Sequence, residues 1–381
     1  MSDRPPALVL SRDQFDALLT ALTDRGYTII GPTVRDGAIV YDQIGSAAEL
    51  PVGITDEQDA GHYRLRARDD QALFGYTVGP QSFKRFQLPP ELTLWHARSD
   101  RRGALSDIVE PPEPSPQIAF LGARSCELHA RSILDRVLLG GRHTDRRDAA
   151  RLADTFVIAV QCTEAGGTCF CVSMNTGPTA QTGFDLALTE IVDDDGHWFL
   201  VQIGSTAGAG LCGELGLASA SVTQLDAADA AHAHAAAQMG RTLDADGVKE
   251  LLYRNYEHPR WDEVSDRCLT CGNCTMVCPT CFCTTVEDVT DLSGENVERR
   301  QLWDSCFTVD YSNLHGGASR ASARARYRQW LTHKLATWQD QFDSSGCVGC
   351  GRCITWCPVG IDLTEEVAAI RDGERGGDGR A

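Results

Sequence analysis

Eight cysteines in two identical runs are the residues of this chain best placed to do chemistry. Cys268, Cys271, Cys274 and Cys278, the last followed by Pro279, are spaced C-x-x-C-x-x-C-x-x-x-C-P; Cys347, Cys350, Cys353 and Cys357, followed by Pro358, repeat the spacing. In this pattern three close cysteines bind one [4Fe-4S] cubane while the fourth ligates the other. The first cluster is therefore expected on Cys268, Cys271, Cys274 and Cys357, and the second on Cys347, Cys350, Cys353 and Cys278. Two intervening residues let a tight loop present successive thiolates, with Gly272, Gly349 and Gly351 permitting close backbone approach, and the prolines stop the local winding. A zinc or disulfide scaffold is the competing reading, but zinc sites usually pair one C-x-x-C with a second short pair or with histidines.

Eight further cysteines lie outside these runs. Cys126 is expected to open a helix after a strand, Cys162 to close another strand, and Gly166-Gly167 to turn the chain back toward Cys169 and Cys171. If the two strands are neighbours, the four thiols meet at one end of a sheet, and four thiolates would satisfy a third [4Fe-4S] cluster. Two other readings stand beside it: buried, inert structural cysteines, and a mixed site completed by Glu127 and His129. Cys281, Cys283 and Cys306 sit near a cluster loop, where packing is the expectation ahead of reactive thiols or hydrogen-bond donors; Cys212 has no assigned role.

The elements that must position these residues read as an α+β chain. Ser11 with Gln14 forms a capping box ahead of a helix carrying Phe15, Leu18, Leu19 and Leu22 on one face. Residues 27–30 and 38–44 read as strands about an Asp36-Gly37 turn. The order strand, turn, helix follows over residues 118–139, then a strand over 156–160 and a hairpin over 184–203. Gly204, Gly208 and Gly210 do not match a dinucleotide fingerprint and read as a turn before a helix. His232 and His234 are two apart and would not share a helix face, which excludes a paired metal role. The expected organisation is an N-terminal α/β-type domain over residues 1–225, a helical connector over 226–262, an α-helical ferredoxin-like module with two [4Fe-4S] clusters over 263–370, and a disordered tail over 371–381. Between the cysteine runs, residues 318–342 read as an inserted helix carrying Arg320, Arg324, Arg326, Arg328 and Lys334, either a solvated face or a set of charges that offsets the clusters or docks an acidic partner.

Composition narrows the function classes. The formal net charge of −18 excludes nucleic acid as a natural partner. Sixteen cysteines behind an N-terminus without a signal pattern point to a reducing, cytoplasmic setting. No apolar stretch approaches the ~20 residues that would span a bilayer, so direct membrane insertion is not expected. Only Lys84, Lys249 and Lys334 are lysine among the basic residues, which reads as coding bias.

Several stretches together carry a family likeness. They are the segment from Cys268 to Cys283, the tetrapeptide Trp303-Asp-Ser-Cys306, Arg326-Tyr-Arg-Gln with His333-Lys334, and the segment from Gly346 to Asp362. In the N-terminal half they are Gln81-Ser-Phe-Lys-Arg-Phe with Pro89-Pro90, Gly122-Ala-Arg-Ser-Cys-Glu-Leu, and the run from Gly167 to Pro178. The sequence resembles the beta subunit of cytoplasmic [NiFe] hydrogenases of the sulfhydrogenase (sulfur reductase) kind, within the 4Fe-4S dicluster proteins, and is similar to the A subunit of anaerobic sulfite reductase. The resemblance implies a non-catalytic iron–sulfur electron-transfer subunit. Its partners would be a flavin subunit that handles NAD(P)H, together with the [NiFe] hydrogenase small and large subunits, whose centres are not in this chain. Asn175 stands where the family is expected to carry glycine. A reading from another class is a stand-alone disulfide or sulfur reductase using Cys281, Cys283 and Cys306.

Overall fold

The computed structural model describes residues 7–100, 102–112, 117–194 and 196–377. The chain opens with β1 (Ala7–Ser11), whose last residue exchanges hydrogen bonds with Gln14 and starts the helix Phe15–Asp24. Then come β2 (Thr28–Arg35) and β3 (Ala38–Gln43), joined through Asp36 and Gly37 at φ of 48° and 75°. That is the left-handed pair a two-residue hairpin turn requires. A small hairpin, β4 (Ile54–Asp59) and β5 (His62–Ala67), precedes β6 (Glu91–Ser99) and β7 (Leu105–Val109). The strands β8 (Ile118–Ala123), β9 (Thr155–Val160), β10 (Leu186–Asp193), β11 (Gly196–Ile203) and the short β12 (Ala218–Ser219) complete the first half.

Eight of these strands form one sheet in the order β12-β1-β11-β10-β9-β8-β2-β3. Its middle is parallel: β2 with β8, β8 with β9 and β9 with β10. Parallel neighbours need covered faces, and their sequences are near-continuous apolar runs for that reason. Phe15, Leu18, Leu22, Phe156, Ile158, Leu188 and Phe199 build the core on one side of the sheet; Tyr41, Phe83, Phe120 and Val157 build the other. The helix Ser125–Leu138 crosses from β8 toward β9. Both strands therefore end at the same edge, which is where open parallel sheets place their sites. The glycine-bearing stretch after β11 is a turn: Ser205 caps the helix Thr206–Glu214.

Two stretches differ from the sequence expectation. The first half of the spacer between the cysteine runs is a hairpin, β13 (Thr284–Thr290) and β14 (Asn296–Trp303). β14 pairs with β6, giving a four-stranded sheet β13-β14-β6-β7 that includes strands from before and between the runs. Only the second half is helical, as Ala323–Thr332, a single π turn His333–Thr337, and Trp338–Phe342. The expected disordered tail is also corrected. The helix Leu363–Gly377 continues through residues 371–377 because Arg371 reaches the carbonyls of Asp244 and Asp246 while Glu374 pairs with Arg254. Residues 378–381 lie outside the described residues.

One buried ion pair bolts the second cysteine run to the first sheet. The Arg352 guanidinium donates to Glu127 Oε1 at 2.8 Å and to the carbonyls of Gly79 and Gln81, with both charged side chains fully enclosed. Removing one partner of such a pair strands the other charge. Arg352→Met is expected to cost about 3–5 kcal/mol of stability, read as a lowered denaturant midpoint in the iron-loaded protein; an unchanged midpoint would rule out this role.

Candidate metal centre

The first cysteine run follows the helix Arg260–Arg267 and turns through Gly272 at φ +78° into one short helical turn, Asn273–Met276. The second run does the same through Gly351 at φ +74° and the turn Arg352–Thr355. Cys268, Cys271 and Cys274 line one cavity together with Cys353 and Cys357. Phe307, Tyr327, Trp330 and Ile361 are among its apolar lining. Cys353 is in turn grouped with Cys347, Cys278 and Cys350, burial and these three thiols together pushing its thiol well up. Thiols of the two runs are thus interleaved: the first cavity takes Cys353 and Cys357 from the second run, and Cys278 of the first run is a neighbour of Cys353.

Backbone donors meet the sulfurs as cluster loops require: Ile361 N–H points to Cys357 Sγ at 3.3 Å and Gly349 N–H to Cys347 Sγ at 3.5 Å. The donor set is thiol throughout, held in loops with left-handed glycines. These residues fit [4Fe-4S] clusters.

A third thiol group lies against the second run. Cys126 in the first turn after β8, Cys162 after β9, and Cys169 and Cys171 line one cavity with Met239, Gly177 and Pro178, and Cys350 forms part of its wall. Burial pushes Cys126, Cys162 and Cys169 up, and Cys171 up to about 12. The loop carrying this group is stitched to the second run: Phe170 N–H donates to Gly349 O at 2.8 Å, and Thr176 Oγ1 to Val348 O at 2.6 Å. The glycines of the run serve this contact as well as the turns. A Cβ on Gly349 would stand 2.6 Å from Phe170 O, and one on Gly351 2.4 Å from Thr168 O. Gly351→Ala combines that clash with a positive φ and is expected to destabilise by on the order of 3 kcal/mol. Chemical unfolding of the iron-loaded variant measures it; a shift under about 0.5 kcal/mol would show the contact to be loose.

The mixed-site reading is corrected. Glu127 does not line the cavity, because its carboxylate is committed to Arg352 and to Tyr41 Oη at 2.7 Å. His129 Nδ1 instead meets Ser125 O at 3.0 Å. Glu164 lines the cavity, yet Arg68 pairs with it at 2.9 Å. Asn175, the departure from glycine, adopts φ 55° and ψ 38°. Asparagine is among the few side chains that tolerate this left-handed conformation, so the turn after Cys171 keeps its shape. Cys212 sits in the main apolar core, away from all three groups.

The basic residues of the spacer divide in two. Arg324 and Arg328 pair with Glu257, and Arg326 is buried against the carbonyls of Phe307 and Thr308. These three staple the helix to its neighbours. Lys334 is different. It lies on the buried helix face with Tyr327, Trp330 and Leu331, where Nζ donates to Cys278 Sγ at 3.1 Å, to Gly346 O at 3.1 Å and to Cys281 Sγ at 3.7 Å. Burial pulls its pKa down, but the thiolates of Cys278, Cys281 and Cys347 outweigh this and hold it well above the ordinary value. Cys278 is correspondingly held well below the usual thiol range by its Cys281 hydrogen bond and by Lys334. Lys84 is the second buried lysine nearby: it donates to Cys281 O at 3.1 Å and lies 4.0 Å from the Trp303 ring centre. The scarcity of lysine is a signal for these two residues that composition alone cannot place.

The fold and the thiol constellation define an iron–sulfur protein, and residues 267–361 match the 4Fe-4S dicluster domain. Over most of its length the chain also has a curated relative. It is 29% identical over 294 residues to sulfhydrogenase 2 subunit beta of Pyrococcus furiosus, an alignment covering 76% of this chain and 85% of that protein. The chain is homologous to that beta subunit over most of its length and carries a 4Fe-4S dicluster domain. No solved structure matches it. Among the described residues no helix is long and apolar enough to cross a membrane.

Proposed function

We propose that this chain is the electron relay of a cytoplasmic, multi-subunit, NAD(P)-linked [NiFe] hydrogenase of the sulfhydrogenase kind, with three [4Fe-4S] clusters linking a flavin subunit to the hydrogenase subunits. The observation that supports the reading is that thiols of both runs line one cavity, Cys268, Cys271 and Cys274 with Cys353 and Cys357, while Cys126, Cys162, Cys169 and Cys171 line a second with Cys350; we assign the clusters to Cys126 with Cys162, Cys169 and Cys171, to Cys347 with Cys350, Cys353 and Cys278, and to Cys268 with Cys271, Cys274 and Cys357. A bound [4Fe-4S] cluster supplies a one-electron carrier whose potential is set by charge, burial and hydrogen bonds to sulfur. The residues of this chain do the rest. Cys350 belongs to the middle group and also walls the N-terminal one; Cys353 belongs to the middle group and walls the first. Each junction is therefore shared, and the thiols are buried or half-buried except Cys271, which is exposed.

Affinity purification of the intact complex under anaerobic conditions tests the reading. Copurifying chains that contain flavin and nickel, with NAD(P)H reducing iron–sulfur signals assigned to this chain, are the expected result. A complex holding a sulfite-reducing centre and no nickel would favour the sulfite reductase reading. A chain recovered alone, reduced by dyes but not through any partner, would overturn the relay.

A further inference from the structure

Cys281 belongs to none of the four-thiol groups, yet it stands beside one of them. Cys278-Pro-Thr-Cys281 repeats the two-residue interval that separates neighbouring ligands inside each run, so one tight loop carries both sulfurs. Lys334 marks where they meet: its Nζ lies 3.1 Å from Cys278 Sγ and 3.7 Å from Cys281 Sγ. The backbone around Cys281 is pinned to the second run and its neighbours. Thr280 Oγ1 donates at 2.6 Å to the carbonyl of Gly346, the residue before Cys347, and Lys84 Nζ donates to the Cys281 carbonyl at 3.1 Å. Phe282 meets Trp338 edge-on with ring centres 5.4 Å apart, against the apolar cluster that contains Val348 and Cys350. Thr280 and Phe282 thus do the packing, while the Cys281 thiol is only half-buried. The sequence expectation of plain packing does not account for a thiol held by the same ammonium that holds a ligand sulfur.

We propose that Cys281 is an alternative fourth ligand of the middle group, able to replace Cys278 on the iron that Cys347, Cys350 and Cys353 do not bind. This rests on the assignment of Cys278 to that group. The exchange moves no electrons. The bond from iron to Cys278 Sγ breaks, a bond from iron to Cys281 Sγ forms, and the proton of the Cys281 thiol passes to the released Cys278 sulfur, since the thiolate is the form that binds metal. Lys334 Nζ is within reach of both sulfurs, so its buried charge keeps a partner on either side of the exchange, which avoids the penalty of an unpaired buried ion. The consequence is a cluster that survives the loss of one cysteine. A site with four thiols and no stand-in would give up its fourth iron and become a three-iron cluster.

The test compares the full, iron-loaded chain with its Cys278→Ala, Cys281→Ala and doubly substituted variants, all prepared anaerobically. Iron is counted, electron paramagnetic resonance separates four-iron from three-iron clusters, and iodoacetamide labelling mapped by mass spectrometry finds the free thiols. Cys278→Ala is expected to keep the iron content of the parent and to show no three-iron signal. In that variant Cys281 should be labelled about ten-fold more slowly than in the parent until iron is chelated. Cys281→Ala alone should change neither iron nor signal, and the double variant should show the three-iron signal while the other clusters remain. A three-iron signal in either single variant, loss of all clusters in Cys278→Ala, or a Cys281 labelled there as fast as in the parent would overturn the proposal. A parent chain that lacks the middle cluster would overturn the relay reading and this proposal with it, a failure seen before any residue is changed.

Discussion

Stripping iron from this chain with an anaerobic chelator is expected to unfold the region from residue 263 to 370 while the eight-stranded sheet persists. The physical reason is that the thiols converge only in the folded state. Cys268, Cys274, Cys353 and Cys357 pack against the same apolar cluster as Trp261, Tyr327, Leu331 and Ile354, and the helical turns between them are only four residues long. Turns of that size have no independent stability. The free energy of metal binding is then folding free energy, on the order of 10 kcal/mol or more by analogy with structural metal sites. The sheet has its own core around Phe15, Leu22, Phe156 and Phe199, with no four-thiol group in it. Limited proteolysis reads the difference: cleavage in the 263–370 region should rise by at least about two orders of magnitude on iron removal, with cuts in the sheet lagging behind. Equal protease resistance with and without iron would contradict the coupling.

Lys334→Met is expected to lower the midpoint potential of the middle cluster by on the order of 100 mV. The ammonium touches Cys278 Sγ at 3.1 Å in a site where the lysine is 3% exposed. A unit charge this close, at the effective dielectric of a protein interior, is worth a few kcal/mol in favour of the more negative, reduced state. Since about 1.4 kcal/mol corresponds to about 59 mV for one electron, the shift is large against the scatter of a titration. Methionine preserves the stem that packs in the π turn. Lys84→Met removes a charge that faces Cys281 O and Trp303, further from the ligand sulfurs, and should move the same signal less. Redox titration followed by electron paramagnetic resonance checks both; a potential unmoved by Lys334→Met would show the charge to be compensated elsewhere.

How much of the site is legible in the sequence depends on how local its geometry is. Spacing inside each cysteine run is a property of one loop, so C-x-x-C-x-x-C-x-x-x-C-P is readable without a fold. The N-terminal group needs one long-range fact, that β8 and β9 are parallel neighbours, and the apolar runs ahead of Cys126 and Cys162 are enough to suggest it. Lys334 shares a helix face with the buried Tyr327, Trp330 and Leu331, but the arginines at 320, 324, 326 and 328 make the segment read as a charged surface, and composition does not separate the one lysine from them. The hairpin at 284–303 escapes a sequence reading because its strands are largely polar and are completed by β6, almost two hundred residues earlier. The tail beyond residue 370 has the composition of a disordered segment, but its charges have partners at Asp244, Asp246 and Arg254 that composition cannot see.

Iron and acid-labile sulfide, determined on the anaerobically isolated chain and on its Cys126→Ser variant, test most directly the claim that three four-thiol groups each hold a [4Fe-4S] cluster. About twelve irons with matching sulfide are expected for the parent, falling to about eight in the variant. About eight irons in both, or zinc in place of iron, would contradict it.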